Sequence, residues 1–174
     1  MIIKNKQYGL VLITSLILIF VLALAVSSNI GGILIDEKII ANQKDHFIAL
    51  EAAEAALREA ENKLINQQVE PTNTLEDGTK VLPNGAAENE NDTEAWCLVR
   101  NDDWWQIEAN ISSFTGASSP PQYIIEDLEY VQDSLVRGQQ RDKVGRNFYR
   151  ITAKGSGGTS TAKVILQTTF TKRY

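Results

Sequence analysis

The sequence predicts an α+β fold in which a long N-terminal helix packs on a C-terminal antiparallel β-sheet. Three observations carry that expectation. Between Lys6 and Asp36 lie 29 residues without a charge. Asp36–Gln67 contains neither proline nor glycine and repeats its apolar residues at helical spacing. Nearer the C-terminus, three runs rich in β-branched and aromatic residues read as strands.

Residues 1–9 (MIIKNKQYG) form a short basic leader carrying Lys4 and Lys6. Residues 10–35 (LVLITSLILIFVLALAVSSNIGGILI) follow as one apolar segment. As a helix rising about 1.5 Å per residue it would reach roughly 39 Å, enough for a bilayer core of about 30 Å. In hydrocarbon it must be helical, because each backbone polar group needs an internal partner. Lysines before the segment and Asp36-Glu37 after it place the N-terminus in the cytoplasm and the C-terminal part outside. A plain signal anchor and a signal peptide cut after Ala25 are competing readings. Thr14 and Ser15 are expected to bond back to carbonyls of the preceding turn. Ser27, Ser28 and Asn29 make a polar patch. Gly31 and Gly32, each costing a helix roughly 1 kcal/mol against alanine, suit either close helix packing or local unwinding.

Residues 36–67 are expected to continue the helix as an amphipathic half. Ile40, Phe47, Leu50, Ala53, Leu57, Ala60 and Leu64 recur at steps of three, four and seven, which makes one stripe. Glu54–Arg58 and Glu59–Lys63 have the favourable i, i+4 order. Pro71 supplies a stop. The stripe needs a partner, either the chain's own remaining hundred or so residues or a second copy in a coiled coil. His46, the sole histidine, falls on the polar side and reads as solvated.

Residues 68–174 are expected to form the globular domain. Pro71–Thr93 reads as an exposed loop with turns at Asp77-Gly78 and Pro83-Asn84-Gly85. Ala95–Arg100 (AWCLVR) is a short strand candidate, and Asn101-Asp102-Asp103 a turn before Trp104-Trp105. The better strands are Gln122–Val131, Asn147–Ala153 and Ala162–Thr171, with Lys154–Thr161 as a glycine-rich hairpin connection. In the last strand Val164, Leu166, Thr168 and Phe170 share one face and Lys163, Ile165, Gln167 and Thr169 the other, and one of the two faces is expected to pack on the helix stripe.

Several function classes are disfavoured. A net charge of −5 repels phosphate, so nucleic acid is not an expected partner. The long apolar run argues against a freely soluble enzyme. Cys97 is the only cysteine, so no intrachain disulfide forms; it reads as a small buried side chain or, alternatively, a reactive thiol. Gly155-Ser156-Gly157-Gly158 lacks the Lys-Ser/Thr of a phosphate loop and precedes a strand. No GxSxG, HExxH or CxxC occurs. No catalytic residue, metal site or cofactor is expected. Trp96, Trp104 and Trp105 read as core filler or, alternatively, a binding surface.

The layout of a basic leader ending in Gly9, an apolar helix from Leu10, an amphipathic continuation and a terminal sheet resembles type IV pilins. The likeness extends to the PilX-type minor pilins of type IV pilus assembly. It is carried by Gly9-Leu10-Val11-Leu12-Ile13 with Ser15-Leu16-Ile17, by Ala41-Asn42-Gln43-Lys44-Asp45, by Ala49–Arg58 (ALEAAEAALR), and by Tyr149–Gly155 (YRITAKG) with Gly157-Gly158-Thr159. The resemblance implies cleavage by prepilin peptidase after Gly9 and N-methylation of Leu10. It implies residence in the inner membrane, with the C-terminal domain periplasmic, until the subunit is incorporated into the pilus. Implied partners are other minor pilins (PilV-, PilW- and FimU-type), the major pilin, a large pilus-tip adhesin, the inner-membrane assembly platform and membrane lipid. Twitching motility and cell adhesion are the implied traits.

One departure stands out. Most pilins have glutamate at the fifth mature position, where this chain has Thr14. In the family that carboxylate pairs with the N-terminal amine of the subunit above, and a buried charge without a partner is costly. PilX-type proteins lack the glutamate, as do K-type pseudopilins of type II secretion. The resemblance therefore implies a place at the fibre tip, in a complex that primes assembly. Other readings are a K-type-like pseudopilin, a bitopic anchor with a periplasmic binding domain, and a tethered enzyme.

Overall fold

α1 runs from Leu10 to Asn66, with its second half, from Asp36 on, rich in the strong helix formers Ala, Glu, Leu and Lys. The computed structural model describes residues 10–88, 94–133 and 145–174, and it leaves out the side chains of residues 27–34. The leader, residues 1–9, lies outside the described residues, as does the Ser27-Ser28-Asn29 patch. The chain divides into two compact units, Met1–Gln43 and Lys44–Tyr174.

In the first unit, α1 presents every described large apolar side chain to its surroundings, from Leu10 at 65% exposure to Val26 at 62%. Thr14 Oγ1 donates to the Val11 carbonyl at 3.0 Å and Ser15 Oγ to the Leu12 carbonyl at 2.9 Å, so both hydroxyls are satisfied within the helix, as expected. The helix runs through Gly31 and Gly32. A membrane-crossing segment was expected over Leu10–Ile35; among the described residues no helix is long and apolar enough to cross a membrane.

The second unit is built on a sheet. Its strands are β1 (Val81–Pro83), β2 (Asn110–Ile111), β3 (Gln122–Gln132), β4 (Gly145–Ser156) and β5 (Lys163–Lys172). The order is β1-β3-β4-β5, with β2 also on β3. The three long strands are antiparallel neighbours, as expected, with Gln122 opposite Lys154 and Ser156 opposite Lys163. The sheet as a whole is mixed, because β1 runs parallel to β3 with Val81 opposite Ile125. Residues 71–88, expected as plain loop, thus supply an edge strand and a Thr74–Lys80 bridge. The turn signals there were correctly placed, with Gly78 and Gly85 at φ +84° and +75°.

Ala95–Arg100 is not a strand. Trp96–Val99 forms a single helical turn, α2, followed by α3 over Asp102–Glu108. Asn101 caps α3 by accepting the Trp104 N–H at 3.0 Å, and Asp102 and Asp103 occupy the positive end of the helix. The residues read as a turn are therefore a helix start.

The alternation of the strands sorts the core into two layers. Tyr123, Ile125, Tyr149, Ile151 and Ala153 face α1 with Ala56, Ala60 and Leu64. Ile124 faces the other way, against Trp96, Trp105 and Ala87. On β5, Val164, Leu166, Thr168 and Phe170 are half-buried while Lys163, Gln167 and Thr169 are exposed, as their alternation suggests, except that Ile165 on the second face is half-buried too.

The ridge of α1 that packs is made of alanine. Ala49, Ala52, Ala53, Ala56 and Ala60 are fully buried, with Leu64. Of the expected stripe, Ala53, Ala60 and Leu64 lie on this ridge and Leu50 and Leu57 flank it half-buried. Ile40 and Phe47 are each 64% exposed. The ridge is small because the sheet comes close. A Cβ on Gly155 would stand 2.3 Å from the Ala49 carbonyl oxygen and 2.5 Å from the Ala53 nitrogen, closer than atoms can pack, so only glycine fits there.

Candidate functional site

Three features of the second unit stand out chemically, and each joins residues far apart in sequence. The first is a clasp between α1 and the β4–β5 connection. Thr159 donates both its backbone N–H, at 3.0 Å, and its hydroxyl to the Asp45 carboxylate. The Thr159 hydroxyl and N–H, joined by the Gly158 N–H, hold the Asp45 carboxyl below its ordinary range. Gly157 permits the approach, since a Cβ there would lie 2.4 Å from Asp45 Oδ1. The glycine-rich stretch that resembles a phosphate loop is thus a close-packing device against the helix.

The second feature is the C-terminal end of α1. Lys172 of β5 donates to the carbonyls of Leu64 and Ile65, each at 2.6 Å, and to that of Gln67. These carbonyls lie at the helix end, where a cation is favoured. Burial pushes the Lys172 ammonium down from its usual value.

The third is the charged layer opposite α1. Glu126 is completely buried, and Arg150 meets it twice, Nε to Oε2 at 2.8 Å and Nη2 to Oε1 at 3.0 Å. Arg150 also reaches Glu88 at 2.9 Å. Such a fork satisfies both carboxylate oxygens of the buried acid. Farther along the same face, Asp102 Oδ1 takes Lys154 Nζ at 2.5 Å and Oδ2 takes Lys163 Nζ at 2.7 Å. Those two ammonium groups, Lys154 first, hold the Asp102 carboxyl at about 2.

The aromatic residues are core more than surface. Trp105 is fully buried, Trp96 is 4% exposed, and the Trp96–Trp104 rings meet edge to face at 5.5 Å. Cys97 is half-buried beside them, and burial pushes its thiol up, which makes it less reactive. His46 is exposed. Among the described residues, no group of three or more His, Cys, Asp or Glu is placed to hold a metal ion.

Gly9 lies outside the described residues, while Leu10 and Thr14 stand in the first turns of α1. The sequence reading missed the Asp45 clasp, the Lys172 cap and the Asp102–Lys154–Lys163 cluster. Gly157-Gly158 beside the strand end was the one signal that could have suggested the first.

Within the second unit, a mixed sheet seated on the alanine ridge of a long helix is an α+β arrangement consistent with a pilin-like fold. The family comparison agrees. The model of the type IV pilus assembly protein PilX C-terminal region matches residues 65–172, and that of the PilX N-terminal region matches residues 9–58. The chain belongs to the PilX family of type IV pilus assembly proteins. No curated protein and no solved structure matches it.

Proposed function

We propose that this chain is a structural, non-enzymatic minor pilin that joins a tip or priming complex and promotes type IV pilus assembly. Prepilin peptidase cuts after Gly9 and methylates Leu10. The helix from Leu10 then rests in the inner membrane, with the C-terminal domain in the periplasm, until extraction into the pilus with other minor pilins and the major pilin. Ala53 and Leu64, flanked by Leu50 and Leu57, hold the domain on its helix. Ile40 and Phe47, left exposed, face neighbouring subunits.

One observation carries the tip position. Thr14, the fifth residue after the proposed cut, is neutral, and its hydroxyl is spent on the Val11 carbonyl. The position offers no carboxylate to an amine above it. A subunit that has a neighbour above leaves that neighbour's ammonium unpaired in an apolar core, a costly arrangement. A subunit at the top incurs no such cost, while its own Leu10 amine receives the glutamate of the subunit below.

The test is Thr14→Glu expressed in place of the wild-type chain. Surface pili should fall in number, because a buried carboxylate now lacks a partner at the tip. A variant that primes normally and spreads along the shaft would contradict the tip position.

A further inference from the structure

Beyond assembly, the outer face of the sheet contains a groove of about 550 Å³, within the range of roughly 300–1,000 Å³ typical of small-ligand sites. It lies between α3, the segment before β3, the end of β4 and the start of β5, all within the second unit. Lys154 and Lys163 stand on it diagonally across neighbouring strands, joined by the single carboxylate of Asp102. Two cations and one anion leave one surplus positive charge. Lys154 is fixed in place, only 14% exposed, with its Nζ 5.1 Å from the centre of the buried Trp105 ring. Asp102 is 60% exposed, on the solvent side of the pair.

Ser119 and Ser156, which also line the groove, are bonded to each other, whereas three other polar side chains there are uncommitted. Among the described residues, no side-chain hydrogen bond engages Gln106, Gln122 or Ser160. Two amides and a hydroxyl offer donors and acceptors together, the equipment that recognises sugar hydroxyls. Of the lining residues only Ile111 and Pro120 offer aliphatic side chains, and none is aromatic, so the groove lacks the large apolar slot on which peptide hot spots anchor.

We propose that this groove binds an acidic saccharide of one or two sugar units. Its carboxylate lies between Lys154 and Lys163, in the place that the Asp102 carboxylate occupies, and its hydroxyls meet Gln106, Gln122 and Ser160. Asp102 is then a built-in competitor: it keeps the two lysines neutralised and spaced until a ligand carboxylate displaces it.

The full chain in detergent micelles, titrated with digalacturonic acid and followed by calorimetry and tryptophan fluorescence, tests this. Saturable binding is expected at a dissociation constant on the order of 1 mM. Asp102→Asn removes the competitor and should tighten it about fivefold. Lys163→Gln should weaken it about tenfold, with an unchanged circular dichroism spectrum showing that the fold survives. Neutral digalactose should bind more weakly than the diacid. The proposal fails if digalacturonic acid does not saturate, if Asp102→Asn binds no tighter, or if acetate binds as well as the sugar acid.

Discussion

The two halves of α1 use apolar residues in opposite ways. From Leu10 to Val26 the side chains are large, mainly Leu, Ile and Val, and all are exposed. From Ala49 to Leu64 the buried face is almost wholly alanine, fully covered by the chain's own sheet. Burial of a large aliphatic side chain stabilises by about 1.5–3 kcal/mol, a gain that the chain's own fold leaves unused over Leu10 to Val26 and that the proposed insertion in lipid and packing with other subunits would draw on. Where the partner is internal, side chains shrink so that backbones can approach, and glycines at 155 and 157 complete the fit. The size of the apolar residues thus separates the surface left exposed, proposed above for assembly, from the surface used in folding.

That contrast can be broken by substitution in the full chain in detergent, with chemical denaturation followed by tryptophan fluorescence, because all three tryptophans lie in the second unit. Arg150→Met should have the largest effect, about 3–5 kcal/mol, since it strands the buried Glu126 carboxylate. Arg150→Met combined with Glu126→Leu should recover most of that loss. Gly155→Ala comes next: its methyl must push α1 off the strand end, at a cost of about 1–3 kcal/mol. Lys172→Met leaves the α1 C-terminal carbonyls without their ammonium and should cost about 1–2 kcal/mol.

Acid gives a smaller effect. The Asp102 carboxyl sits at about 2 in the folded chain, below its unfolded value near 4. Its pairing with Lys154 and Lys163 therefore contributes stability in full above pH 4 and loses it as pH falls from about 4 to 2. Because Asp102 is mostly solvent-exposed, the loss should stay under about 1 kcal/mol. Asp102→Asn should flatten this part of the pH dependence. Smallest of all is Ile17→Ala on the exposed half of α1, expected within about 0.5 kcal/mol of wild type. A large loss there would mean that the apolar helix has a partner inside the chain.

How much of this was legible follows from the range of each interaction. The last strand was readable because Val164, Leu166, Thr168 and Phe170 alternate over a long run. Residues 96–99 were misread because four apolar residues show no period that separates strand from helix; Asn101 followed by two aspartates was the better signal, a helix cap. β1 was invisible, since Val81–Pro83 is short and its partner lies more than forty residues away. The stripe was drawn through Phe47 because hydropathy favours large residues, whereas packing against Gly155 selects alanine. Thr14 enters the proposal by its position in the sequence alone. The Asp102 cluster was not legible, because Lys154 and Asp102 are 52 residues apart and only the fold brings them together.

The account turns on where the working protein begins. Mass spectrometry of the N-terminal peptide, from protein recovered in the envelope and pilus fractions, measures that directly. The account predicts a chain starting at an N-methylated Leu10. A chain that keeps Met1, or one that starts after Ala25, would contradict it.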